Sequence, residues 1–150
     1  MSEERRIDAF AIIILIISLV GLILMFATDF TGFYYGGYGV RYSCLTGCEY
    51  STPTDLTMQI FMVILLIAQI VWSINELLPE KFLPFKNLNL IGLILAASTA
   101  LFAVIGIAAF GITWGLLGGY DWWAEAGFYG GFLAGIINAV FYFLRFKKII

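Results

Sequence analysis

Four uncharged apolar stretches, Ala9–Thr28, Leu56–Asn75, Leu88–Tyr120 and Ala126–Leu144, take up most of the chain. Roughly 20 apolar residues in α-helix cross the ~30 Å hydrocarbon core of a bilayer, so each stretch is long enough. With 62% hydrophobic and 12% charged residues, little polar surface remains to clothe a fold in water. The expected fold class is an all-α membrane protein, a bundle of four transmembrane helices. Its spans fall at about 8–28, 56–78, 88–114 and 124–145, with outer loops at 29–55 and 115–123. Residues 1–150 are expected to form one domain, because four spans joined by short loops cannot divide into separate cores. The first span is longer than a signal-peptide core, Glu3 and Glu4 accompany Arg5 and Arg6, and no small-x-small site follows it, so it reads as a retained helix.

Orientation follows from the cations. Arg5, Arg6, Lys81, Lys86, Arg145, Lys147 and Lys148 fall on one side of the predicted spans and Arg41 alone on the other. The bias predicts cytoplasmic termini in a plasma or cytoplasmic membrane. It leaves Asp29, Glu49, Asp55, Asp121 and Glu125 outside as an acidic surface. The formal charge of −2 gives no reason to expect a nucleic-acid partner. The chain has no His, the commonest metal ligand and general base, and only two Cys. No catalytic, cofactor or metal site is therefore expected.

The longer outer loop is rich in Gly and Tyr, with Tyr34, Tyr38 and Tyr42 alternating. That pattern predicts short strands and tight turns, a small extracellular β-element in the first outer loop. Ser51-Thr-Pro-Thr-Asp55 is a break and an N-cap region for the second helix, and Pro79 and Pro84 bracket the cytoplasmic turn. The third apolar stretch would measure about 50 Å as one helix, longer than the hydrocarbon. A helix ending near Trp114, turned by Gly115, Gly118 and Gly119, is the expected solution. Trp114, Trp122 and Trp123 would then lie at the outer interface, where indoles prefer to sit.

Small residues predict how the helices pack. Gly127, Gly131, Gly135 and Ala139 recur every fourth position on the last helix, and Gly92, Ala96 and Ala100 on the third. Such stripes let backbones approach closely in lipid. They are expected to face each other or Ser18 and Gly21 of the first helix, or else to mediate self-association. Gln59, Gln69, Asn75, Glu76, Ser98, Thr99, Thr113 and Asn138 are the polar residues in or near the spans. Of these, Gln69 and Asn138 lie deep and read as interhelical hydrogen-bond glue, worth about 1 kcal/mol each. Glu76 falls where it can reach water or Lys81.

Cys44 and Cys48 are spaced for a local disulfide, with Gly47 easing the turn. A redox pair is the competing reading, although thiol oxidoreductases usually separate their cysteines by two residues and a quinone-coupled one would need a second pair. Gly39-Val-Arg41-Tyr-Ser-Cys44, followed by Cys48, is similar to the Gly-Leu-Trp-x-x-Cys motif and second Cys of the claudin/PMP22-like tetraspan superfamily. Arg41 stands at the Trp position, and the two cysteines are closer together than is usual there. Glu125-Ala-Gly127-Phe128-Tyr129-Gly130-Gly131 resembles the run that opens the family's last span, and Trp114 and Asp121 resemble its second outer loop. The resemblance implies a non-enzymatic membrane protein in adhesion, barrier or accessory-subunit roles. Its partners would be membrane lipids and either further copies of itself or other membrane proteins. A membrane thiol–disulfide oxidoreductase using Cys44 and Cys48, or a small transporter or channel component, is the alternative.

Overall fold

A computed structural model describes residues 8–37, 39–46, 48–83 and 87–147. Glu3, Glu4, Arg5, Arg6, Tyr38, Gly47, Pro84, Lys86 and Lys148, which carry parts of the sequence argument, lie outside the described residues. The elements run α1 (Ala9–Ala27), β1 (Thr31–Tyr35), β2 (Gly39–Ser43), α2 (Pro53–Leu77), α3 (Leu88–Phe110), a π-helical segment (Gly111–Leu117), β3 (Trp122–Ala124) and α4 (Ala126–Phe146). Among the described residues, four helical stretches are long and apolar enough to cross a membrane, the third being α3 together with the π-helical segment. Each helix packs on the next in sequence and α4 closes the ring on α1.

Helix starts follow local chemistry. The Asp8 carboxylate accepts from the N–H groups of Phe10 and Ala11, both at 3.1 Å, satisfying donors that have no intrahelical partner. In α2 the Thr52 hydroxyl accepts from Asp55 N–H, with Pro53 in the first turn. This Thr-x-x-Asp start places α2 three residues before the expected Leu56.

The bundle is polar at its centre and apolar on its surface. Ile23 is 61% and Leu101 56% exposed, whereas Ser18, Gln69, Thr99 and Asn138 are fully buried. One apolar cluster, Ile14, Trp72, Ala96 and Tyr142, fills the end that carries the termini. A second, with Met25, Phe30, Met62, Leu66, Ala103, Phe128 and Ala134, fills the opposite end. Ser18, Gln69, Thr99 and Asn138 each lie, in the sequence of their own helix, between the residues of the two clusters.

A three-stranded antiparallel sheet of order β2-β1-β3 caps the second end. Phe33 pairs with Arg41 on one side and Trp122 on the other. Gly37, at φ +81°, and Gly39, at φ +86°, turn the β1–β2 hairpin through a region that L side chains rarely adopt. The sheet corrects the expectation that the β-element belongs to the first loop alone, because β3 comes from the second. A two-stranded hairpin is marginal by itself, and the third strand completes it. The third helical stretch also overruns the expected 88–114, continuing to Leu117 before Gly119 (φ +68°) turns the chain. Gly115 therefore lies inside the helical segment and not in the turn.

Candidate functional site

Residues 29 and 30 join the cap to the bundle. Phe30 N–H donates to the Ser43 carbonyl at 2.8 Å, Glu125 N–H to the Phe30 carbonyl at 3.0 Å and Gly127 N–H to the Asp29 carbonyl at 2.9 Å. The first turn of α4 thus rests on the exit from α1. A Cβ at Gly127 would sit 2.7 Å from the Asp29 carbonyl oxygen, so only glycine fits there.

Beneath the sheet, Phe33 is fully buried and is the hub of an aromatic cluster. Its ring stacks on Trp114 at 4.5 Å and 12°, and meets Tyr50, Phe110, Tyr120 and Tyr35 at 5.6–6.4 Å. Such edge-to-face and offset pairs add about 0.5–1.5 kcal/mol beyond area burial. The Trp122 indole lies directly against Gly111 and Gly115, where any Cβ would strike the ring. Trp123 crosses Gly32, and its indole N–H donates to the Glu125 carboxylate. Of the interface aromatics named from sequence, Trp114 packs inside this cluster, while Trp122 and Trp123 belong to β3.

The cap is also fixed to α2. Ser43 Oγ donates to Asp55 Oδ2 at 2.6 Å, Thr52 Oγ1 to Asp55 Oδ1 at 2.9 Å, and Gln59 Nε2 to Ser43 Oγ at 3.2 Å. Asp55, Gln59 and Ser43 are buried. Charge patterning places Asp55 among the outer-face acids, whereas the fold turns it inward. The Thr52-x-x-Asp55 spacing of a capping box is the sequence signal for that inward role.

Cys44 and Cys48 are bonded to each other, with their Cα atoms 5.3 Å apart. The Asp29 carboxylate lies within 4.8 Å of both sulfurs, and these three residues are the one cluster of metal-ligand type among the described residues. With the sulfurs joined, Asp29 alone retains an anionic ligand atom. Burial, and then the charge of Glu125, push the Asp29 carboxyl above its usual range. Gly39, the third residue of the family-like motif, opens β2. Arg41, at the motif's Trp position, holds its guanidinium 5.4 Å from the centre of the Tyr50 ring, a cation–π distance.

Deep in the bundle, one residue from each helix meets in a single hydrogen-bonded layer. Asn138 Nδ2 donates to Ser18 Oγ at 2.8 Å and to Gln69 Oε1 at 2.9 Å, and Gln69 Nε2 donates to Thr99 Oγ1 at 2.9 Å. Ser18 and Thr99 spend their hydroxyl protons on the carbonyls of Ile14 and Leu95. Ser18 is the middle residue of α1, about 14 Å from either end by helical rise. The layer therefore lies at the midplane of a bilayer that α1 spans.

The stripe residues divide among several contacts. A Cβ at Gly135 would lie 2.6 Å from Ala100 N and 3.0 Å from the Ala96 carbonyl, so α3 and α4 meet there backbone to backbone. Gly92 lies under the Tyr142 ring, and Ala139 packs beside the terminal-end cluster. Gly131 faces the flexible ends of Met62 on α2 and Met25 on α1, so the stripe that meets α3 at Gly135 meets α1 and α2 at Gly131. The close approach of α1 to α4 uses Gly21 against Gly130 and Ala134, and those last two positions lie off the predicted stripe.

At the terminal end, Arg145 Nη2 donates to Asp8 Oδ2 at 2.7 Å and Glu76 Oε2 at 3.0 Å, and Lys81 reaches Glu76 Oε1 at 3.3 Å. Asn75 Oδ1 accepts from Phe82 and Leu83 N–H, tying the α2–α3 connection down. Glu76 thus meets the expected Lys81 and, in addition, Arg145.

No protein-family model, curated protein or solved structure matches the chain.

Proposed function

We propose that this chain is a non-enzymatic integral membrane protein that acts through lateral or cell-surface protein contacts made by its sheet-capped end, with both termini cytoplasmic. The observation that carries the reading is the two-sided construction of the cap. Its inner side is sealed on Phe33, while Tyr34, Val40 and Tyr42 stand exposed on the other and Leu116 and Leu117 are each 81% exposed. Leu117 lies 18 residues beyond the Thr99 layer, about 25 Å by helical rise and so about 10 Å past the hydrocarbon edge. Apolar side chains presented outside lipid are features of docking surfaces. The disulfide, the Asp55 cluster and the third strand hold that surface in one shape, which lowers the entropic cost of association.

The bias of Lys and Arg toward the terminal end supports the orientation. The resemblance to the claudin/PMP22-like superfamily, through Gly39, Cys44 and Cys48, supports an adhesion, barrier or accessory-subunit role. Two measurements test the proposal. Reduced Cys48 should react with an impermeant maleimide outside intact cells while a tag after Ile150 stays protected; the reverse pattern overturns the orientation. Surface cross-linking should trap complexes of defined mass, and Leu116→Glu with Leu117→Glu should abolish them with helical content intact. Complexes that survive this double substitution would remove the cap from the function.

A further inference from the structure

We propose that the groove between α1 and α4 holds one membrane lipid, its chain laid over Gly21, Gly130 and Ala134 and an amine-bearing headgroup at Asp29 and Glu125. The groove encloses about 370 Å³ and is lined by apolar side chains and glycine, with the Tyr129 ring near its sheet end. It exists because three small residues floor it: α1 and α4 touch at Gly21 and Gly130, and the larger residues beside them, among them Val20 and Leu133, rise as its walls. Those walls run from Leu24 and Ala126, at the sheet end, to Ile16 and Ile137. Ile16 and Ile137 are within two residues of Ser18 and Asn138 in the midplane layer. The groove thus covers one leaflet and stops.

That length selects the occupant. A partner helix laid along the groove would run on past its end at Ile16 and Ile137, whereas a lipid chain enters from one headgroup layer and ends near the midplane of the ~30 Å core. Charge selects the headgroup. Glu125 directly precedes Ala126 at the mouth, its carboxylate accepting from the Trp123 indole. Asp29, whose carboxylate lies beside the disulfide and within reach of the Glu125 charge, is hydrogen-bonded through its backbone to the first turn of α4, so both acids stand just beyond the groove's sheet end. Arg41, the cation among the described residues of the cap, is engaged with Tyr50. Two carboxylates here attract an ammonium group and repel an anionic headgroup.

The test is native mass spectrometry of the full chain after reconstitution in equal phosphatidylethanolamine and phosphatidylglycerol of identical chains. One lipid should be retained, with ethanolamine favoured at least fivefold. Val20→Trp with Leu133→Trp, both on exposed groove walls, should cut retention at least fivefold, and the milder Leu133→Phe should cut it partway. Asp29→Asn with Glu125→Gln should keep a bound lipid but bring the headgroup ratio to about one. Overturning results are a wild-type chain without retained lipid, retention unchanged by the wall variants, a headgroup ratio unchanged by the carboxylate variants, or a wild-type dimer mass that the wall variants abolish. The last would assign the groove to a second copy.

Discussion

Gly131 and Gly135 sit one turn apart on α4 and share a sequence pattern, but they meet different neighbours. At Gly135 the neighbour is Ala100 backbone, which cannot move aside. At Gly131 it is the ends of two Met side chains, whose three rotatable bonds let them shift. Gly135→Ala should therefore cost about 1–3 kcal/mol through overpacking, read as a lower thermal midpoint in detergent. Gly131→Ala should be neutral or raise the midpoint, because Ala gains up to about 1 kcal/mol of helix propensity. Equal losses at both sites would show that the two contacts are alike. Asp29 allows a pH test at the same scale. Its carboxyl is held above its usual range, by burial first and then by Glu125, so folding favours the protonated form. Asp29 then contributes fully below about pH 4 and the contribution is lost as pH rises through the elevated folded value. Asp29→Asn should stabilise the cap at pH 7 and make no difference below pH 4, read by hydrogen exchange at Phe30 and Gly127.

The strands depend on both loops, and the disulfide restrains only one of them. Closing a ring of five residues restricts the unfolded chain by about 2 kcal/mol on the loop-entropy model. Replacing Cys44 and Cys48 by Ser should leave helical circular dichroism unchanged. Exchange should quicken at Ser43–Ser51, while β1–β3 pairing persists because Trp122 remains against Gly111 and Gly115. Loss of helix in the double variant would give the disulfide a wider role than its position allows. The π-helical segment is bound to the same element: its two glycines are the track on which the Trp122 indole lies. Gly111→Ala should displace β3 from β1 by driving the ring outward.

At the scale of the molecule, the amide layer registers all four helices, and the Arg145 ion pairs register α1, α2 and α4, which apolar packing alone would leave free to slide in lipid. Asn138→Ala removes two hydrogen bonds and leaves Gln69 Oε1 and Ser18 Oγ without the amide that meets them. The expected cost is about 1–2 kcal/mol, the range for unsatisfied buried groups and for interhelical bonds in membranes. Arg145→Gln should open the terminal end, because Asp8 and Glu76 would face each other without their shared cation. A loss of about 2 kcal/mol is expected, with faster exchange in the first turn of α1. No change in the melting midpoint for Asn138→Ala would mean that the layer is dispensable to stability.

The sequence by itself determined the helices. Length and hydropathy are local properties, and a run of about 20 uncharged apolar residues favours a spanning helix whatever it packs against. The Cys44–Cys48 spacing, the hairpin glycines and the depth of Gln69 and Asn138 were legible for the same reason. The tertiary structure decided which side chains meet across the bundle. The small-residue pattern already puts Ser18 on the packing side of its helix, whereas Thr99 joins the amide layer because helix rotation turns it inward, and a hydroxyl on an apolar helix does not advertise its facing. The third strand, the bridging Arg145 and the Gly21–Gly130 contact each join residues far apart in the chain. Periodicity shows that a helix has a small-residue face. It cannot show which neighbour that face meets, since the neighbour is set by the order in which the four helices close.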